Sequence, residues 1–192
     1  MIVYDIEERY NNYCNVTQGW GIDMTEHMPT LRRYASECEH ITEMGVRYVV
    51  STWAFLAAKP KKLISYDIAP PSRFDASIEI QDITEAARLN GTEFVFILDN
   101  TLSVTIEETD LLFIDTLHNY SQLKYELQYH GNQARKYIIM HDTHTYGRVG
   151  EMLDPKGLLY AIEEFLEVNP HWKTKEVFEN CNGLTVLERV QG

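Results

Sequence analysis

The sequence predicts an α/β fold: a doubly wound, mostly parallel sheet ending in an antiparallel C-terminal hairpin. Three observations carry this. Short apolar runs alternate with segments of helical period; from Glu43 to Asp67 an acid opens an apolar run, a tight turn and short helix follow and a second run ends on Asp67, with Gly45 the only glycine between residues 22 and 90; and beyond Pro170 the pattern changes to two adjacent strand-like runs.

Residues 25–40 place Met28, Leu31, Tyr34, Ala35 and Cys38 at helical spacing, with Thr25 as N-cap and Pro29 in the first turn. Strands are expected at 44–50, 63–67, 93–98, 110–115 and 136–141. Between them, helices over 79–90 (Ile80, Ile83, Ala87) and 119–134 (Tyr120, Leu123, Leu127) each present an apolar face to the sheet. Asp154-Pro155 reads as cap and first residue of a further helix, with Leu158, Leu159, Ile162, Phe165 and Leu166 on its apolar side, stopping at Asn169-Pro170. Runs at 172–179 and 184–190 then pair as a hairpin, since Asn182-Gly183 tolerates the positive φ of a type I′ turn. The 192 residues suit one domain, with 1–40 as a helical cap or lid and 41–192 as the core.

Composition excludes several partners. Apolar residues make up 44% of the chain and charged ones 24%, which suits a packed domain. A net charge of -12 repels a phosphate backbone, and Lys59, Lys61 and Lys62 beside Pro60 are the one basic run, so nucleic acid is not expected. Cys14, Cys38 and Cys181 are odd in number and lack CxxC spacing, against a disulfide framework or zinc knuckle. The opening MIVYDIEERY is acidic where a signal peptide is basic, and no apolar run reaches membrane-spanning length, so a cytoplasmic location without membrane contact is expected.

From Glu43 to Asp67 the chain reads as half of a nucleoside-binding Rossmann unit, with Asp67 22 residues after Gly45, where a carboxylate can accept from ribose hydroxyls. A pyrophosphate would need more glycines for close backbone approach, which disfavours NAD and ATP. S-adenosylmethionine carries adenosine without phosphate and fits a looser turn.

The order and spacing of GIDMTEHMPTLRRYA, EMGVR followed by VST, ISYDI, LLFIDTLHNY and YIIMHDTHTYG resemble the class I S-adenosylmethionine-dependent methyltransferases from about Asp23 to Arg189. Within that family the likeness is to a branch holding small phage-type enzymes and the cephalosporin-hydroxylase-like and macrolide-sugar O-methyltransferases. The resemblance implies a Rossmann-like core with S-adenosyl-L-methionine as cofactor. It places Glu43 and Gly45 at the methionine end, Ser51 and Thr52 in the first turn, Asp67 at the ribose, and Asp99 and Asn100 beside the adenine or ribose, with Asp115 also on the cofactor. Many members carry two further glycines in the first turn, where this chain has Arg47, Tyr48, Val49 and Val50.

Ligands of open α/β sheets bind outside the carboxyl ends of the strands, and two of the expected strands end in polar clusters: Asp115-Thr116-Leu117-His118 and His141-Asp142-Thr143-His144. Methyl transfer to oxygen requires an aligned acceptor and removal of its proton. Either His118, His141 or His144 acts as base with Asp142 as partner, or a divalent metal on Asp115, His141 and Asp142 lowers the hydroxyl pKa. The related sugar enzymes resemble the metal solution, with an acidic pair where this chain has His141-Asp142. Singly, Asp115 and Asp142 also read as turn formers. Trp53 reads as core and Trp20 stays open between core and ligand. Asp23 and His27 form either a capping segment or a lid, while His27, His40, His130 and His171 read as surface residues.

The expected function is methyl transfer to oxygen of a small polar acceptor such as a sugar or nucleotide-sugar, by a chain that can form homo-oligomers. Competing readings are a metal-dependent hydrolase or hydroxylase-like centre on the same fold, and a noncatalytic Rossmann-like binding module.

Overall fold

Five strands run parallel: His40–Met44 (β1), Lys62–Asp67 (β2), Glu93–Leu98 (β3), Thr109–Ile114 (β4) and Ala134–His141 (β5). Trp172–Phe178 (β6) and Leu184–Arg189 (β7) add an antiparallel pair, giving the sheet order β3-β2-β1-β4-β5-β7-β6. The structure is a computed structural model and describes residues 4–16 and 22–190. Trp20 lies outside the described residues. No helix among the described residues is long and apolar enough to cross a membrane.

Helices cover both faces, as an all-buried parallel sheet requires. On one face Ile6–Cys14 (α1), Met28–Ala35 (α3), Val50–Ala57 (α4) and Ile80–Leu89 (α5) pack over Ile41, Leu63, Leu111, Phe113 and Ile139; the short Ile22–Thr25 (α2) lies against α4. On the other, Tyr120–His130 (α6) and Leu158–Val168 (α7) pack over Met44, Ile64, Leu112, Ile114 and Met140. Alternate residues of each strand therefore feed two cores, so β4 reads as an unbroken buried run rather than an alternating one. Every residue of α4 is buried, and Trp53 meets Tyr4 edge-on at 5.4 Å, the core role expected of it.

Strand order reverses at β1, which pairs with β2 on one side and β4 on the other. That reversal opens a crevice at the carboxyl ends of β1 and β4.

Several boundaries differ from expectation for local reasons. The apolar run 44–50 is not a strand: β1 precedes it and ends at Met44. Gly45 N–H still pairs with Tyr66 O, but the next two amides, of Val46 and Arg47, turn to the Asp67 carboxylate and leave the ladder. Glu43 consequently lies inside β1 instead of preceding it. Thr25 closes α2, its hydroxyl donating to Ile22 O, so α3 starts only at Met28. Pro155 is not the first residue of α7; Asp154 accepts from Lys156 N in a turn, and Gly157 caps the helix. The β6–β7 turn is longer than two residues, with Cys181, Asn182 and Gly183 all at positive φ (43°, 66° and 97°).

Candidate active site

The crevice is a cleft of about 490 Å³ bordered by the first turn, the tips of β2 to β5 and the N-terminal segment at Asp23 and Met24. Gly45 makes it possible: at φ +88° a Cβ there would sit 1.8 Å from Asp115 O, so only glycine lets the tips of β1 and β4 meet. The rest of the first turn lacks glycine yet still uses the left-handed region, at Arg47 (φ 45°) and Val49 (φ 66°). Left-handed φ on a β-branched residue costs on the order of 1–3 kcal/mol. Asp67 offsets it by accepting from Val46 N (2.8 Å), Arg47 N (3.0 Å) and Ala69 N (2.9 Å).

These bonds also limit what Asp67 can offer a ligand. A carboxylate has about four lone-pair sites. Three are taken, two by the first turn and one by Ala69 N just after β2, leaving room beside Oδ1 for one further donor. Gly45, Ser51, Asp99, Asn100 and Asp115 line the same cleft.

Glu43 and Thr52 do not line it. Both are fully buried behind the turn, where the Glu43 carboxylate accepts from Ser51 Oγ (2.6 Å), Thr52 Oγ1 (2.8 Å) and Ser65 Oγ (2.5 Å). Burial pushes the Glu43 pKa up to about 7, with those hydroxyls and their donated protons pulling the other way. Its contact with the cleft is indirect, through Ser51.

At the other end, Asp115, His118 and Asp142 line the cleft, and His141 sits behind them. His118 Nε2 is 2.8 Å from Asp142 Oδ2 and 3.5 Å from Asp115 Oδ1. Its ring stacks on Tyr146 at 4.9 Å and 7°. Glu151 Oε2 is 3.1 Å from Nδ1, but that nitrogen has no aligned hydrogen bond. His141 Nε2 donates to Asp23 O (3.1 Å) and Cys181 O (2.9 Å), and carbonyls only accept, so that nitrogen carries the proton. Nδ1 is thereby turned to Asp115 (3.4 Å) and Asp142 (3.2 Å).

Four ionisable groups thus hold one another. Burial opposes charging His118, but hydrogen bonds and attraction from Asp115 and Asp142 outweigh it and raise its pKa to about 10. The same balance lifts His141 well above its ordinary value, and Asp115 and Asp142 fall below theirs although burial opposes it. These opposed shifts favour charged imidazoles held against charged carboxylates, which makes neither histidine a ready base in this state.

A divalent cation fits the same groups. Asp115, His118 and Asp142 offer donor atoms all within 4.8 Å of one another, and Asp142 Oδ1 is buried with no hydrogen-bond partner among the described residues. The trio takes His118, which lines the cleft, where the sequence pointed to His141, whose ring sits behind the cleft wall with Nδ1 against Asp115 and Asp142. His144 is exposed and outside the cleft; its backbone N–H donates to Asn182 O.

Two histidines read as surface residues are buried. His27 donates through Nε2 between Asn180 O and Cys181 O and meets the His141 ring edge-on at 5.5 Å, and His130 Nε2 lies 2.8 Å from Thr101 O. Sequence reasoning also missed Glu126, buried on α6 beneath Thr101, Thr116 and Gln122, which line the cleft. Its only local signal is the i, i+4 spacing from Gln122.

The same architecture recurs among solved structures. The fold is that of the class I methyltransferases. The chain is similar, at 14% identity and TM-score 0.64, to the O-methyltransferase TomG of Streptomyces achromogenes, solved with S-adenosylmethionine, over 100% of this chain and 93% of that one. An O-methyltransferase from Bacillus cereus, solved with S-adenosylhomocysteine, matches at 14% identity and TM-score 0.59 over the same shares. A Burkholderia thailandensis 1,6-didemethyltoxoflavin N1-methyltransferase matches at 11% identity and TM-score 0.62, over 97% of this chain and 86% of that one. No protein-family model matches the chain, and no curated protein sequence matches it significantly.

Proposed function

We propose that this chain is an S-adenosylmethionine-dependent methyltransferase acting on a hydroxyl of a small polar acceptor, a sugar or nucleotide-sugar being the favoured class. The observation that carries the reading is a single cleft with two chemically different ends: Gly45, Ser51, Asp67, Asp99 and Asn100 at one, Asp115, His118 and Asp142 at the other. The first end suits a nucleoside without phosphate. Asp67 keeps one acceptor site for a ribose hydroxyl, and Asp99 and Asn100 lie at the adjacent tip of β3.

The second end suits an acceptor rich in hydroxyl donors, because Asp115, Asp142 and Glu151 present carboxylate oxygens around His118. Asp142 holds and orients the acceptor hydroxyl toward the sulfonium and is the carboxylate to which the acceptor's proton passes, since His118 beside it is already charged. Asp115, His118 and Asp142 would hold a divalent cation, which when bound supplies Lewis acidity that lowers the acceptor hydroxyl pKa. The short helix Ile22–Thr25 caps this cleft, since its Asp23 and Met24 line it.

Transfer of labelled methyl from S-adenosylmethionine should be measured over a panel of sugars, nucleotide-sugars and catechols, with and without chelator. Label entering a sugar hydroxyl is the expected result. S-adenosylhomocysteine binding without transfer to any member would contradict the sugar assignment.

A further inference from the structure

Gln122 has no freedom in which way its amide faces. Its Nε2 donates to Glu126 Oε1 at 2.8 Å and to Thr101 Oγ1 at 3.1 Å, so both amide hydrogens are taken. Glu126 is fully buried and also accepts from Thr101 Oγ1 (2.6 Å) and Thr116 Oγ1 (2.9 Å to Oε2). Burial raises the Glu126 pKa, but each of its oxygens accepts from a hydroxyl or amide donor, so rotating the Gln122 amide would set its carbonyl against an accepting oxygen. The group left over is Gln122 Oε1, an acceptor with no partner among the described residues, on a side chain that lines the cleft.

Asn100 is fixed in the opposite sense. Its Oδ1 accepts from Leu102 N at 2.9 Å, which leaves its Nδ2 as a donor on the same cleft. The wall therefore offers one acceptor and one donor, the complement of adenine's edge, whose 6-amino group donates and whose N1 accepts. Hypoxanthine inverts both, with O6 accepting and N1 donating.

We propose that Gln122, with its amide held by Glu126, is a specificity-determining residue that reads the purine's exocyclic amine and makes the cleft select adenosyl over inosyl ligands. Glu126 is a positioning residue and touches no ligand. The inference rests on the adenosyl reading of the cleft given above. A site that hydrogen-bonds a substrate group rejects the analogue that cannot match it far more strongly than a merely apolar pocket would.

The test is calorimetric titration of the full chain with S-adenosylhomocysteine and with its deaminated inosyl analogue. Wild type should prefer the adenosyl ligand by at least about tenfold. Gln122→Met, at a half-buried position that tolerates it, should reduce that ratio to within about threefold, chiefly by weakening the adenosyl ligand. Glu126→Gln should reduce the ratio likewise, because an amide at 126 lets the Gln122 amide turn over.

Equal binding of the two ligands by wild type would overturn the inference and leave the adenosyl site standing. Equal weakening of both ligands in Gln122→Met would also overturn it, showing a packing role only. An unchanged ratio in a folded Glu126→Gln would remove the positioning role, and should that variant not fold, Gln122→Met decides alone. Binding of neither ligand by wild type would sink the proposed function itself.

Discussion

At the tips of β1 and β2 the acids are satisfied by the fold itself, whereas at the tips of β4 and β5 they are held against histidines and open to the cleft. Glu43 takes three hydroxyl donors and Asp67 three backbone amides. Asp115 and Asp142 instead face His118 and His141, and Asp142 Oδ1 has no partner among the described residues. Binding a preformed cofactor needs a rigid cradle, and rigidity comes from finished hydrogen bonds. Moving a proton needs groups whose partners can be exchanged, which the second region retains.

Gly45 joins the two regions, and its substitution is the most severe way to break the contrast. Gly45→Ala should cost more than about 4 kcal/mol, because the backbone of Asp115 cannot yield to a Cβ at its oxygen and φ is positive. Urea denaturation checks this; a loss under about 1 kcal/mol would mean that the strand tips part readily.

The buried acid at the cofactor end gives a pH signature. Its folded pKa, about 7, lies above the ordinary 4.5, so the folded state holds more protons between those values and stability falls as pH rises through that window. The contribution is on the order of 3 kcal/mol, fully present below the lower value and lost above the upper one. Glu43→Gln should lack this part of the decline when unfolding is compared at acidic and alkaline pH. An identical decline in both proteins would place the titration elsewhere.

At the acceptor end, Asp142→Asn should lower turnover by about a hundredfold or more. Asparagine tolerates the φ of 62° found there, so the loss reports charge rather than backbone strain. Normal turnover in this variant would return Asp142 to the role of a turn residue. The smallest effect sharpens the account of the first turn: Arg47→Gly, at an exposed left-handed position, should raise stability by up to about 1 kcal/mol in the same urea assay, and a loss would show that the strain there is slight.

Much of this was legible because it rests on local pattern. The runs at 63–67 and 93–98 lie within a residue of β2 and β3, and the alternation that forces a parallel sheet is a property of composition along the chain. The cleft residues Gly45, Asp67, Asp115 and Asp142 were also readable, since strand tips are where such sheets bind.

Illegible features depended on who captures a backbone amide or carbonyl. Val46 to Val50 has every mark of a strand until Asp67 takes its amides. His27 and His141 are bound by carbonyls of a turn some 40 to 150 residues away, so nothing nearby in the chain marked the first as buried or the second as set behind the cleft wall. Glu43 kept its acidity in the reading because the three hydroxyls that enclose it come from two other elements.

The most direct test of the division of the cleft is S-adenosylhomocysteine calorimetry on wild type, Asp67→Asn and Asp142→Asn. Affinity should fall by roughly tenfold or more in Asp67→Asn, through loss of charge-assisted hydrogen bonds, and stay within about threefold of wild type in Asp142→Asn. Equal losses in the two variants would contradict the account.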